Sequence, residues 1–365
     1  MMRMGVVGCG SVVQQYHLPA LAGVPDVSLA GLADVNPTVL EQARSRWPAP
    51  QAVADYRELR DLDAVLIASP HSLHAPMCAH FLEQGVHVLV EKPMTTRAAE
   101  AEQLVTLAAE RKAVFAVGVF RRYYPSSALI RALIQQDWLD GVAEIDAEEG
   151  GPYDWELQSR YLLDRSLAGG GVLIDTGSHL LDRLLWWFAG AQIRLERYVD
   201  DSARGVEADA EIRLKLDWRG REIPCRVELS RTRALRNTIR LRMRKGWIEV
   251  GSNVPNGFHW GAEGLAGDEA AAGRLWMQCG SPADAPIPPQ EYFRRQLADF
   301  VRAAATGAPP LNDAAGNLPT VRLIEECYAR REPLRERGWR ELFAPLLGCV
   351  PSAASAAEIA PRRLP

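Results

Sequence analysis

The chain has 365 residues, of which 47% are hydrophobic, with 42 Lys+Arg against 46 Asp+Glu and a formal net charge of -4. That length predicts two domains rather than one core, and the mild acidity with dispersed arginines gives no electrostatic case for nucleic acid. No apolar run approaches the ~18 residues of a membrane span. Six cysteines without a C-x-x-C pair predict reduced thiols rather than a disulfide framework or zinc site. The expectation is a cytoplasmic protein with no metal site and no signal peptide ahead of its first strand.

RMGVV, from Arg3 to Val7, reads as a short apolar strand, with GCGSVVQQYHLPALAG following as loop and helix. VSLAGLAD is a second strand ending at Asp34, and NPTVLEQARSRW a helix with Asn36 as cap and Pro37 in its first turn. DAVLIASP, VHVLVEKP and AVFAVG read as three more strands, separated by HAPMCAHFLEQG and TTRAAEAEQLVTLAAERK as helices. Short Val/Ile/Leu runs alternating with helical patterns of ten to fifteen residues indicate βαβ units and a parallel sheet. Ligands of such sheets sit at the carboxyl ends of the strands.

Gly8-Cys9-Gly10 lies at the end of the first strand, followed by Ser11 and Val12 at the helix start. Glycines there let bare N–H groups approach a pyrophosphate at a helix N-terminus. Val13 occupies the third glycine position of G-x-G-x-x-G, so the motif is incomplete and a tight structural turn explains it equally well. Asp34 tips the balance, because an acid ending the second strand accepts hydrogen bonds from an adenosine ribose and repels a 2′-phosphate. NAD is therefore the expected cofactor, with NADP as the alternative.

Ser69-Pro70-His71 closes the third strand and Glu91-Lys92-Pro93 the fourth. Lys92 stands where a bound nicotinamide is expected, and Pro93 holds it extended and makes a cis bond plausible. The plainer reading is a surface lysine in a loop. His71 is a candidate neighbour of the cofactor, whereas His74 near a helix start needs no function.

After Gly118 the βαβ rhythm stops. FRRYYPSSALIRALIQQDWLDG reads as linker and helix, VAEIDAEEG as a strand, and later segments alternate with period two. Ala208, Ala210, Ile212, Leu214, Leu216 and Trp218 share one face, as do Ile223, Cys225, Val227 and Leu229. Ile239, Leu241 and Met243 point inward, with Arg240, Arg242 and Arg244 outward. This predicts a mostly antiparallel sheet packed on helices by one face. The arginine face is either solvated or a polar subunit interface.

Within this region LAGGGVLIDTGSHLLDRLLWW, from Leu167 to Trp187, places three glycines ahead of a helix. At ~100° per residue Asp175, His179, Asp182 and Trp186 form one stripe, with Leu181, Leu184, Leu185 and Phe188 as the core-facing stripe. Asp175 and His179, four apart, can touch, and an acid beside an imidazole fixes its tautomer. Glycines at 169–171 allow another surface to come close. One His and one carboxylate lack the third ligand of a usual metal site.

These motifs resemble the Gfo/Idh/MocA oxidoreductases, relatives of glucose–fructose oxidoreductase and inositol dehydrogenase. The residues that carry the resemblance are Gly8-x-Gly10, His17-Leu18-Pro19-Ala20, Ser69-Pro70, Glu91-Lys92-Pro93, Gly118 with Arg121-Arg122-Tyr123, and the GGG-x-x-x-D-x-x-x-H-x-x-D run from 169 to 182. It runs from residue 4 to about residue 335. It implies an N-terminal Rossmann domain with a doubly wound parallel sheet over 1–120. An α+β domain with an open, mostly antiparallel sheet would span 121–345, its sheet face forming a homodimer or homotetramer. Residues 346–365, rich in small residues and proline, are expected to be a disordered tail. Lys92, Asp175 and His179 are implied as the catalytic set, acting on a sugar or polyol. Val13 and His71 depart from the family pattern, where a small residue and Asn are common. Arg121, Arg122, Tyr123 and Trp155 are candidate polyol ligands, although Trp155 serves equally as a loop anchor. Two rival readings stay open: a regulator that senses the nucleotide without catalysis, and an enzyme that retains NAD and uses transient oxidation for epimerisation or glycoside cleavage.

Overall fold

The structure is a computed structural model that describes residues 1–152, 160–202, 205–266, 269–276 and 288–334. Trp155 and the 346–365 tail lie outside the described residues. The first part of the chain runs β1 (Met2–Val7), α1 (Leu18–Ala22), β2 (Val27–Ala33), α2 (Pro37–Arg46) and β3 (Gln51–Val53). It continues as β4 (Ala64–Ile67), α3 (His74–Glu83), β5 (His87–Val90), α4 (Ala98–Arg111) and β6 (Phe115–Val117). Every pairing is parallel and the strand order is β3-β2-β1-β4-β5-β6, a doubly wound Rossmann sheet. Its order reverses between β1 and β4, which opens a crevice at their carboxyl ends. The sequence pattern predicts five strands; the sixth, β3, is a three-residue edge strand too short to show a period. Asn36 caps α2 as expected, its side chain accepting from Thr38 N and Val39 N with Pro37 in the first turn.

The second part runs α5 (Pro125–Gln135), β7 (Val142–Gly150), α6 (Arg165–Ala168), α7 (Ser178–Trp187), β8 (Gln192–Asp200), β9 (Asp209–Trp218) and β10 (Arg221–Ser230). β11 (Thr238–Met243), β12 (Gly246–Gly251), β13 (Gly257–Ala266), β14 (Glu269–Trp276), α8 (Pro289–Thr306), α9 (Leu318–Ala329) and β15 (Glu332–Pro333) follow. Among the described residues nine strands form one sheet in the order β14-β13-β12-β11-β7-β10-β9-β8-β15. It is antiparallel except at β7/β10 and β8/β15. Apart from Ala208, which is half-buried and precedes β9, the inward residues expected of β9, β10 and β11 are buried, and they pack on Ile130 and Ile134 of α5, on α7 and on Leu323 and Ile324 of α9. On the outward face Arg226 and Arg236 pair with Asp146 and Glu148, and Arg242 pairs with Glu144.

Helix α8 crosses back to the first sheet. Its Phe293, Leu297, Phe300 and Val301 join Leu18 and Leu21 of α1 over one face, while α3 and α4 cover the other. The two sheets are thus tied by chain that passes between them three times, after β6, into α8 and through α9 to β15. Among the described residues no helix is long and apolar enough to cross a membrane, no group of His, Cys, Asp or Glu is arranged to hold a metal, and Cys9, Cys78, Cys225 and Cys327 are free.

Candidate active site

A cleft of about 630 Å³ lies between the two sheets, a size suited to a small molecule. Its Rossmann wall is Gly10, Ser11 and Val12, then Ala68, Ser69, His71, Glu91 and Lys92. Gly8 makes the turn into the loop at φ +84°. Val13 is fully buried in the core and begins a π-helical turn, Val13–His17, that leads into α1. Asp34 braces this loop: Oδ2 accepts from Cys9 N at 2.7 Å and Oδ1 from Asn36 N at 2.8 Å. Each oxygen keeps a lone pair for a ribose hydroxyl.

Three residues of the sequence motifs meet beneath Lys92. Glu91 Oε1 lies 2.6 Å from His17 Nε2, and Glu91 Oε2 accepts from Lys92 N at 3.0 Å. Gly118 leaves room for this carboxylate, since a Cβ there would stand 2.8 Å from its carbon. Burial pushes the Glu91 carboxyl up, but the His17 hydrogen bond and the charge of Lys92 outweigh it and hold it below the ordinary range. The Lys92–Pro93 bond is cis. Lys92 Nζ donates to Asp175 Oδ1 at 2.6 Å and to the Asp175 carbonyl at 3.1 Å.

Asp175 sits in a second π-helical turn, Leu173–Gly177, that leads into α7. Its contacts differ from those the i, i+4 spacing predicts. Oδ1 goes to Lys92, and Oδ2 accepts from Arg231 Nη2 at 2.5 Å. The imidazole of His179 receives neither. Burial raises the Asp175 carboxyl, yet Lys92 and Arg231 more than compensate and keep it ionised far into acid. His179 lines the same cleft, edge-on to the Phe120 ring at 5.3 Å, and its Nδ1 has no hydrogen-bond partner among the described residues. Burial, then the charges of Lys92 and Arg121, hold its pKa well below the ordinary imidazole value, so the ring is neutral at pH 7.

Of the three consecutive polyol candidates, only Arg121 borders the cleft, and Glu149 holds it there by two hydrogen bonds of 2.7 Å. Arg122 turns away into a buried ion pair with Asp182 and two carbonyls, Leu311 and Gly316. The Tyr123 hydroxyl is spent on Asp299 and Asn312. Both are committed to packing because the short 3-10 turn at Phe120–Tyr123 aims successive side chains in different directions. His71 borders the cleft and hydrogen-bonds the Ala168 carbonyl through Nδ1; burial, then His74, bring its pKa down to about 3. His74 links the Pro93 and Ser69 carbonyls. Ser69 lines the cleft beside the turn made by Pro70.

The expected core-facing stripe of α7, Leu181, Leu184, Leu185 and Phe188, is buried, but the polar stripe does not form one face. Leu180 to Trp187 are all buried, so beyond His179 the helix is enclosed, and Asp182 is matched by Arg122 and Asn317 rather than by solvent. Sequence reasoning passed over Arg231 and Glu149. Both continue the inward register of an apolar strand, Arg231 after Val227 and Leu229, Glu149 after Ile145 and Ala147. A charge in that register at a strand end is the signal that finds them.

Residues 2–119 match the model of an oxidoreductase family with an NAD-binding Rossmann fold, GFO/IDH/MocA, and residues 128–249 match the GFO/IDH/MocA C-terminal domain. The chain belongs to this family. Among curated relatives, a dTDP-3,4-didehydro-2,6-dideoxy-alpha-D-glucose 3-reductase from Streptomyces violaceoruber is 33% identical over 56% of this chain and 60% of its own length. An NADP(+) scyllo-inositol 2-dehydrogenase from Bacillus subtilis is 25% identical over 51% of each. The chain thus spans about half to three-fifths of the length of these relatives. Among solved structures, a levoglucosan dehydrogenase with NADH superimposes with a TM-score of 0.78 at 18% identity, covering 90% of this chain and 96% of that one. A 3-ketoreductase from Actinomadura kijaniata with NADP does so with 0.76 at 21%, covering 91% and 98%.

Proposed function

We propose that the protein is an NAD-dependent oxidoreductase that moves a hydride between the cofactor and a secondary alcohol or ketone of a sugar, sugar derivative or cyclitol. One observation carries this reading: the amine of Lys92, from the Rossmann sheet, and the neutral imidazole of His179, from the second domain, line one cleft with the Gly10–Val12 loop. The residues present fit a dinucleotide. The loop turns at Gly8, the N–H groups of Gly10, Ser11 and Val12 are candidates for the pyrophosphate, and the braced carboxylate of Asp34 suits a ribose diol and disfavours a 2′-phosphate. Ser69, Pro70, His71 and Glu91 would flank the nicotinamide end. When bound, the nicotinamide supplies the hydride chemistry.

The chain's own groups handle the oxygen. In the oxidative direction His179, neutral at pH 7, takes the hydroxyl proton. Lys92 donates a hydrogen bond to the same oxygen and stabilises the negative charge that develops on it. Asp175 aims the amine of Lys92 through a 2.6 Å ion pair, and Arg121, at the border of the cleft, is a candidate for a further hydroxyl of the substrate. In the reductive direction the neutral ring must first take up a proton from solvent, which it then gives to the alkoxide.

A nicotinamide absorbance assay over a panel of sugars and cyclitols tests the reading. At least one should be turned over with NAD in preference to NADP, and Lys92→Ala should cut that turnover by ~100-fold or more while NADH affinity stays nearly intact. Wild-type turnover in that variant, or a panel without turnover, counts against it. Protein that purifies with cofactor bound and never releases NADH would favour transient oxidation instead.

A further inference from the structure

Strand β10 buries Ile223, Cys225, Val227 and Leu229 on its inward face, and Arg231 extends that register into the cleft. There its guanidinium holds Asp175 Oδ2 at 2.5 Å while Lys92 holds Oδ1 at 2.6 Å. A second contact at 3.4 Å from the same Nη2 to the Gly171 carbonyl ties the guanidinium to the glycine run that precedes Asp175. A carboxylate clamped on both oxygens cannot swing to another donor without losing a charge-assisted hydrogen bond.

We propose that Arg231 is a positioning residue that fixes Asp175 as a bridge to Lys92 and so denies His179 an acidic partner. The inference rests on the reading of Lys92 and His179 as the groups that handle the alcohol oxygen and its proton. The charged groups that face His179 are Lys92, Asp175, Arg183 and Arg121, the last neutralised by Glu149. Of these four groups, Asp175 alone carries the charge that favours the imidazolium. With Arg231 committed to that carboxylate, the cations prevail and the imidazole enters the reaction as a base. Arg231 thus acts through Asp175 on both halves of the site: on the aim of the amine and on the proton affinity of the ring.

The test is a carbon-13 titration of histidine-labelled protein, with His179 identified among the seven histidines by the signal lost in His179→Gln. As the pH is lowered the wild-type ring should stay neutral. In Arg231→Gln it should take up its proton about one unit or more higher, and Arg231→Lys, which keeps the charge, should restore the wild-type curve. The acid limb of kcat for the alcohol should move with the ring in Arg231→Gln, with NADH affinity unchanged. Arg231→Met is read the same way should the Gln variant not fold. A ring that stays neutral to the same pH with and without the Arg231 charge overturns the proposal. Because the titration needs no substrate, a shifted ring in a protein that turns over no sugar would reject the enzymatic reading and leave the positioning role standing.

Discussion

A Cβ built on Gly171 would stand 1.9 Å from the backbone oxygen of Glu207, and one on Gly170 1.9 Å from the hydroxyl of Tyr328. The surface that the glycine run admits is therefore the protein's own. Glu207 Oε1 accepts from Gly171 N, from Leu173 N and from the Tyr328 hydroxyl, which satisfies N–H groups at the start of the turn that carries Asp175. Gly171→Ala should force these backbones apart and cost ~1–3 kcal/mol, the range for overpacking a tight site. A fall in the denaturant midpoint at unchanged slope would show it, and an unchanged midpoint would refute the packing account. The three glycines were legible as a close approach; what approaches was not, since Glu207 and Tyr328 are 36 and 157 positions from Gly171 in the chain.

At the scale of elements, the alternation of strand and helix and the period-two faces of β9 to β11 were readable because each repeats over several residues. β3 was not, being three residues long. Helix α7 misled for a different reason. Its polar stripe looks like a face turned to water or ligand, yet Asp182 faces Arg122 from the turn after β6, an ion pair in which both side chains are 2% exposed. Spacing within one helix cannot reveal a partner 60 residues away. A π-helical turn at Leu173–Gly177 also breaks the ordinary 100° step just before α7. Arg122→Ala would leave the Asp182 carboxylate buried with Asn317 as its remaining partner, so stability should drop by ~3–5 kcal/mol. Thermal unfolding would register this as a large loss of Tm. A variant with wild-type Tm and impaired substrate binding would instead place Arg122 at the substrate.

For the whole molecule, the two sheets close on a cleft whose walls hold several buried imidazoles, and this couples fold stability to pH. His71, His74 and His179 all line the cleft, and His74 is fully buried between the Pro93 and Ser69 carbonyls. Two carbonyls favour a doubly protonated ring, but burial outweighs them and lowers the pKa of His74, as it does for His71 and His179. In the unfolded chain each ring binds its proton near the ordinary value of about 6.5; in the folded protein His71 does so only near 3. Between those values the unfolded state holds more protons, so unfolding takes protons up and stability falls as the pH falls. The contribution is fully present above about pH 6.5 and drains away towards the folded values. Asp175 and Glu91, whose carboxyls are held low, lose their share only in stronger acid, below the ordinary carboxylate value of about 4. Calorimetry from pH 8 to 5 should therefore give a flat Tm above pH 7 and a decline below 6.5, each such imidazole contributing up to about 1.4 kcal/mol per pH unit. His71→Asn, which removes one titrating ring, should make the decline shallower. A Tm that does not change between pH 6.5 and 5 would mean that the cleft admits protons to these rings as freely as water does.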